Sequence, residues 1–145
     1  MSAYISVELQ RQIRNRFTNC CAYCLTAELL TATTFEFEHI IPRSAGGETM
    51  FENLCLSCPS CNRYKADRQN IIDSVTEEAV RLFHPQLQLW NKHFSWNDDA
   101  SEIVGITNIG RVTITTLKMN RPQLVRVRKL WVKLAEHPPE MYEEG

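Results

Sequence analysis

The sequence predicts an α+β fold. Three observations carry this. A helical repeat lies near the N-terminus, a strand–turn–strand–helix pattern sits between two Cys-x-x-Cys pairs, and the second half mixes hairpin and helix signals. With 145 residues, 43% hydrophobic and 23% charged, the chain has the balance of an ordinary globular protein. Its length supports one domain, residues 1–145, that buries a core without disulfide staples. No stretch approaches the apolar run of a membrane span, and MSAYISVELQRQIRNRF lacks the apolar core of a signal peptide. The expectation is a cytoplasmic protein without membrane contact. In that compartment six cysteines point to metal or catalysis rather than disulfides.

Each element has its own signal. From Ser6 to Phe17, Leu9, Ile13 and Phe17 recur four apart with Arg11, Arg14 and Arg16 between them, which predicts an amphipathic helix. Thr33 to Ile41 alternates Phe35, Phe37 and His39 against Glu36 and Glu38, the period of a strand. Pro42 stops it, and Gly46-Gly47 marks an irregular turn. A second extended piece is expected over Asn53 to Ser57, and a helix from Asn62 to Asp67. Ser74-x-x-Glu77 resembles a capping box and predicts a helix to about Phe83. His93 to Trp96 and Glu102 to Ile106 flank Asn-Asp-Asp-Ala, a hairpin pattern. Residues 107–119 carry β-branched residues, yet Thr107 can cap a helix bearing Ile109, Val112 and Leu117, and helix is the expectation. In the last element Asn120 is the expected cap, Pro122 sits in the first turn, and Leu124, Val127, Trp131 and Leu134 repeat at helical spacing.

Cys21-Ala-Tyr-Cys24 and Cys58-Pro-Ser-Cys61 can wrap one tetrahedral ion with four thiolates, a closed and therefore structural zinc site. Cys20 and Cys55-Leu-Ser-Cys58 offer other registers. Cys21, Cys24, Cys58 and Cys61 are preferred because both pairs then have two-residue spacers and the second ends beside Asn62.

The segment these pairs enclose holds Glu38-His39-Ile-Ile-Pro42-Arg-Ser, Gly46-Gly47 and Asn53-Leu54, and the second pair runs into Asn62-x-x-Lys65. This ordered set resembles the HNH (ββα-metal) nuclease family in its HNN form with a four-cysteine zinc site. The resemblance implies a ββα-metal core over residues 18–70, stabilised by structural zinc and preceded by the N-terminal helix. Residues 71–145 would then be a hairpin and helical extension ending in a basic amphipathic helix. It further implies a metal-dependent DNA endonuclease that hydrolyses phosphodiester bonds. By the same resemblance Glu38 and Asn62 hold one divalent ion, Mg²⁺ or Mn²⁺. Both residues offer oxygen, as a hard cation prefers. His39 is the general base, since an imidazole titrates near neutrality. Asn53 pins the loop that holds His39. A regular strand would send Glu38 and His39 to opposite faces, so the family geometry implies that the strand ends here. Two positions depart from the commoner pattern: asparagine stands at the last position, and glutamate replaces aspartate before the histidine.

Arg43, Arg63 and Lys65 flank this centre and are the expected phosphate contacts. The net charge of −1 hides a strong asymmetry, because residues 111–135 carry seven Lys or Arg and no acid. Arg126, Lys129 and Lys133 on the last helix form a weaker basic face. A second function class is a zinc-stabilised nucleic-acid or protein binding module with a degenerate nuclease centre.

Overall fold

The computed structural model describes residues 4–140. Helix α1 (Val7–Arg16) starts where Ser6 accepts a hydrogen bond from the Leu9 amide, and it buries Ile13 against the core. After it come strand β1 (Glu36–His39), strand β2 (Leu54–Ser57) and helix α2 (Pro59–Lys65). β1 and β2 pair antiparallel, with Glu38 opposite Cys55 and His39 opposite Leu54. All four β2 residues are buried, because α1 covers this hairpin from one side.

Helix α2 starts three residues before the predicted point. Cys58 is its cap, accepting from the Cys61 amide, and Pro59 supplies the first turn, so Asn62 lies inside the helix. The helix expected from Ser74 to Phe83 is absent. In its place strands β3 (Asn70–Ile72) and β4 (Ala79–Arg81) form a hairpin. Asp73 explains the difference. Its carboxylate accepts from the Val75 amide and the Thr76 hydroxyl, and this local bonding closes a turn where a capping box was expected.

The extension continues with helix α3 (Trp90–His93), the predicted hairpin of β5 (Phe94–Trp96) and β6 (Ile103–Gly105), helix α4 (Asn108–Leu117) and helix α5 (Pro122–Lys133). Thr107 caps α4 through Gly110, as expected. Asn120 does not cap α5. Its side chain instead exchanges two hydrogen bonds, each 2.8 Å, with the Ile103 backbone, and Arg121 takes the cap position.

The two halves share one core. Buried Trp90 donates its indole N–H to the Tyr23 carbonyl at 2.8 Å, and Phe83, Trp90 and Phe94 stack edge to face or tilted around it. Among the described residues no helix is long and apolar enough to cross a membrane.

Candidate functional site

The first cysteine pair sits in a tight knuckle. The Cys21 amide donates to the Thr26 carbonyl and the Leu25 amide to the Cys21 carbonyl, which forces Leu25 to a φ of 60°. The second pair sits on the first turn of α2. Together these elements bring the Sγ atoms of Cys21, Cys24, Cys58 and Cys61 within 4.8 Å of one another, all buried. Cys24 and Cys58 are 3.8 Å apart. A tetrahedron of sulfurs with metal bonds of about 2.3 Å has an edge of about 3.8 Å, so spacing and donor type both fit a structural zinc. All six cysteines are free. Cys20 and Cys55 stand apart from the cluster: Cys20 bonds to the Thr18 carbonyl, and Cys55 donates to Glu38 Oε2 at 3.3 Å. Within the cluster, burial pushes the Cys21 thiol up, while hydrogen bonds from the other three cysteines hold Cys24 well down.

His39 ends β1 and is half-buried. Its Nε2 meets the Thr49 hydroxyl at 2.8 Å. Burial, and behind it the charge of Arg43, hold the imidazole below its ordinary pKa. The loop that follows is tied down by Asn53. Its Oδ1 accepts from the Ile41 amide at 2.8 Å, and its Nδ2 donates to the carbonyls of Ile41 and Glu48 at 3.1 and 2.9 Å. Every hydrogen of that amide group is used, and the side chain is buried. Gly47 makes the loop possible, because a Cβ there would collide with the Ile41 carbonyl and the Asn53 amide.

The carboxylates lie on the face of β1 that meets α2. Glu38 is buried, with Oε1 2.6 Å from the Lys65 ammonium, and Lys65 also donates to the Ile40 carbonyl at 2.9 Å. One turn back on α2, Asn62 donates its amide to Glu36 Oε2 at 2.9 Å. The structure therefore pairs Glu38 with Lys65 and Asn62 with Glu36, and does not bond Glu38 to Asn62. β1 does end at His39, but its pairing is regular through Glu38 and His39, so the two side chains leave the strand in opposite directions. The regular strand therefore separates Glu38 from His39, which the expected strand end was to avoid. Lys65 requires a correction too. It is 2% exposed and engaged with Glu38, so it is not a surface phosphate contact. Arg43 and Arg63 are exposed.

Sequence reasoning passed over Thr49 and Glu36. Glu36 was visible in the strand alternation as the acid two residues before Glu38, whereas Thr49 has no signal beyond its place in the loop. Glu36 and Glu38 alternate onto the same face of β1, where Lys65 and the Asn62 amide of α2 meet them.

A family model described as HNH endonuclease matches residues 21–68, the segment that holds both cysteine pairs, His39, Asn53 and Asn62. Neither a curated protein nor a solved structure matches the chain.

Proposed function

From the premise that residues 21–68 form an HNH domain, we propose that the whole chain, residues 1–145, is one metal-dependent endonuclease that hydrolyses phosphodiester bonds in DNA. In this reading His39 is the general base. Its half-buried ring has the lowered pKa that keeps it neutral and able to take a proton from water near neutral pH. Glu38 and Asn62 would hold the Mg²⁺ or Mn²⁺ ion once Lys65 and Glu36 yield their present bonds. Such an ion supplies charge stabilisation at the leaving oxygen. Asn53 positions His39 through the loop it bonds, and Arg43 and Arg63 face solvent where they can meet phosphates.

The observation that best supports this is the set of three Asn53 hydrogen bonds, which fixes the loop directly after the imidazole. The test is cleavage of plasmid and linear DNA with Mg²⁺, Mn²⁺ or EDTA, by the full chain and by His39→Ala. Expected are cleavage in either metal, none in EDTA, and a loss of ~10²-fold or more in His39→Ala with the fold retained. DNA that binds but stays intact in every metal would overturn the reading.

One observation favours a second reading. The Glu38 carboxylate is already neutralised by a buried ammonium. A permanent Glu38–Lys65 pair would leave a zinc-stabilised binding module with a degenerate centre. Metal-independent DNA binding without cleavage is its expected outcome.

A further inference from the structure

Tyr64, on the last turn of α2, is half-buried and carries a cation from each of two helices on its ring. The Arg63 guanidinium stands 5.3 Å from the ring centroid, and the ammonium of Lys118, the residue that ends α4, stands 4.8 Å from it. The two charges are therefore no more than about 10 Å apart, close to the screening length of about 8 Å in physiological salt. Two more cations are tied to the same helix ends. Arg68 donates to the Tyr64 carbonyl at 3.1 Å, and Arg121 donates to the Lys118 carbonyl at 3.1 Å. Among the described residues none of the four forms an ion pair, and Arg63, Arg68 and Lys118 are exposed. Asp67 is the one acid between residues 59 and 69, and residues 111–135 hold none. The carbonyl ends of α2 and α4 attract cations, but each end offers only about half a charge, so the patch stays strongly positive. Lys118 sits at φ 50° and ψ 51°, a left-handed conformation in which glycine fits with less strain.

We propose that Arg63, Arg68 and Lys118, arrayed around Tyr64, form a second contact surface for the phosphate backbone of duplex DNA, so that the extension grips the substrate beyond the cleavage centre. The proposal rests on the reading of residues 21–68 as a domain that acts on DNA. Charge complementarity selects the partner, because a duplex carries one negative charge per about 1.7 Å of its axis. Position agrees with it. Asn62 and Tyr64 share α2 but face different neighbours: Asn62 meets Glu36 of β1, and Tyr64 meets Lys118. The patch thus lies about one helix width, ~10 Å, from the proposed centre, a distance that a duplex spans in about three base pairs. Cations anchored on helix ends meet phosphates and read no base edge, so the grip is independent of sequence.

The test is binding of the full chain to a short duplex in EDTA, read by fluorescence anisotropy over a salt series. It compares wild type with Lys118→Gly, Arg68→Gln, the double variant, and Lys129→Gln on the separate basic face of α5. Lys118→Gly removes the charge and suits the left-handed backbone, so the fold survives, which the thermal midpoint checks. Each of the first two variants should lower the slope of log affinity against log salt by about 1, and the double variant by about 2, equally on two unrelated duplexes. Lys129→Gln should keep the wild-type slope. Hydrolysis of bis(p-nitrophenyl) phosphate in Mn²⁺ should stay at the wild-type rate in Lys118→Gly and Arg68→Gln, since so small a diester does not reach the patch. Unchanged slopes in both, with wild type binding and cutting DNA, would overturn the patch alone. A slope lost only in Lys129→Gln would move the contact to α5 and overturn it too. Polyglutamate bound more tightly than duplex, and released by the double variant, would give the patch to an acidic protein instead. A wild type that does not bind DNA would overturn both the patch and the reading it rests on.

Discussion

The His39 ring is half-buried beside Arg43, and both features favour its neutral form. A base with a lowered pKa stays active at more acidic pH. The acid limb of the cleavage profile should therefore lie below the ordinary imidazole range. Removing the Arg43 charge makes protonation easier, so Arg43→Ala should move that limb to higher pH, and a pH–rate series on both proteins checks the sign. Asn62 and Asn53 are the same residue type with different proposed duties. Asn62→Ala should shift metal activation to higher Mg²⁺ or Mn²⁺. Asn53→Ala should lower the rate at saturating metal and cost ~1–3 kcal/mol of buried hydrogen bonding. Metal titration of cleavage on both variants separates them, and the same midpoint as wild type in Asn62→Ala removes it as a ligand. At this scale the sequence revealed residue types and order, but not pairing. The alternation of Glu36 and Glu38 placed them on one face of β1. That Lys65 would face Glu38 and Asn62 would face Glu36 depends on how α2 docks on the strand, which no local pattern records.

Among the elements, boundaries failed where a side chain served a partner that sequence does not show. Cys58 capped α2 and started it three residues before the expected Asn62, Asp73 closed a turn where a helix was expected, and Asn120 was drawn to Ile103. Elements with a full periodic face, α1 and α5, were legible because burial of that face decides them. Thr107 was legible for the opposite reason, since its cap is local. Helix α2 ends on Ala66 at φ 50° and ψ −128°, a conformation that suits glycine. The Ala66 amide still bonds to the Asn62 carbonyl there, so the strain is retained and not relieved. Ala66→Gly should raise stability by about 1 kcal/mol, read as a higher denaturation midpoint with an unchanged m-value.

For the molecule as a whole, the four cysteines join the knuckle after α1 to the start of α2, across the 33 residues between Cys24 and Cys58. Trp90 bonds to Tyr23 inside the first pair, so the extension leans on the same junction. Stripping zinc should therefore loosen both halves together. A strong chelator is expected to lower the thermal midpoint and to change the tryptophan fluorescence, all of which comes from the second half, in one transition. Separate transitions for the core and the extension would show that the halves are independent. The sheet topology has a further consequence for how the chain reaches this state. Among the described residues all three sheets are two-stranded and pair neighbours in sequence: β1 with β2, β3 with β4, and β5 with β6. Each can form early from nearby residues, on the microsecond scale of hairpins. Bringing the two cysteine pairs together is the larger loop closure, and its reward arrives only when an ion is captured. Refolding is thus expected to quicken with the supply of free zinc more than with any change in strand propensity, which stopped-flow fluorescence at graded zinc concentrations checks.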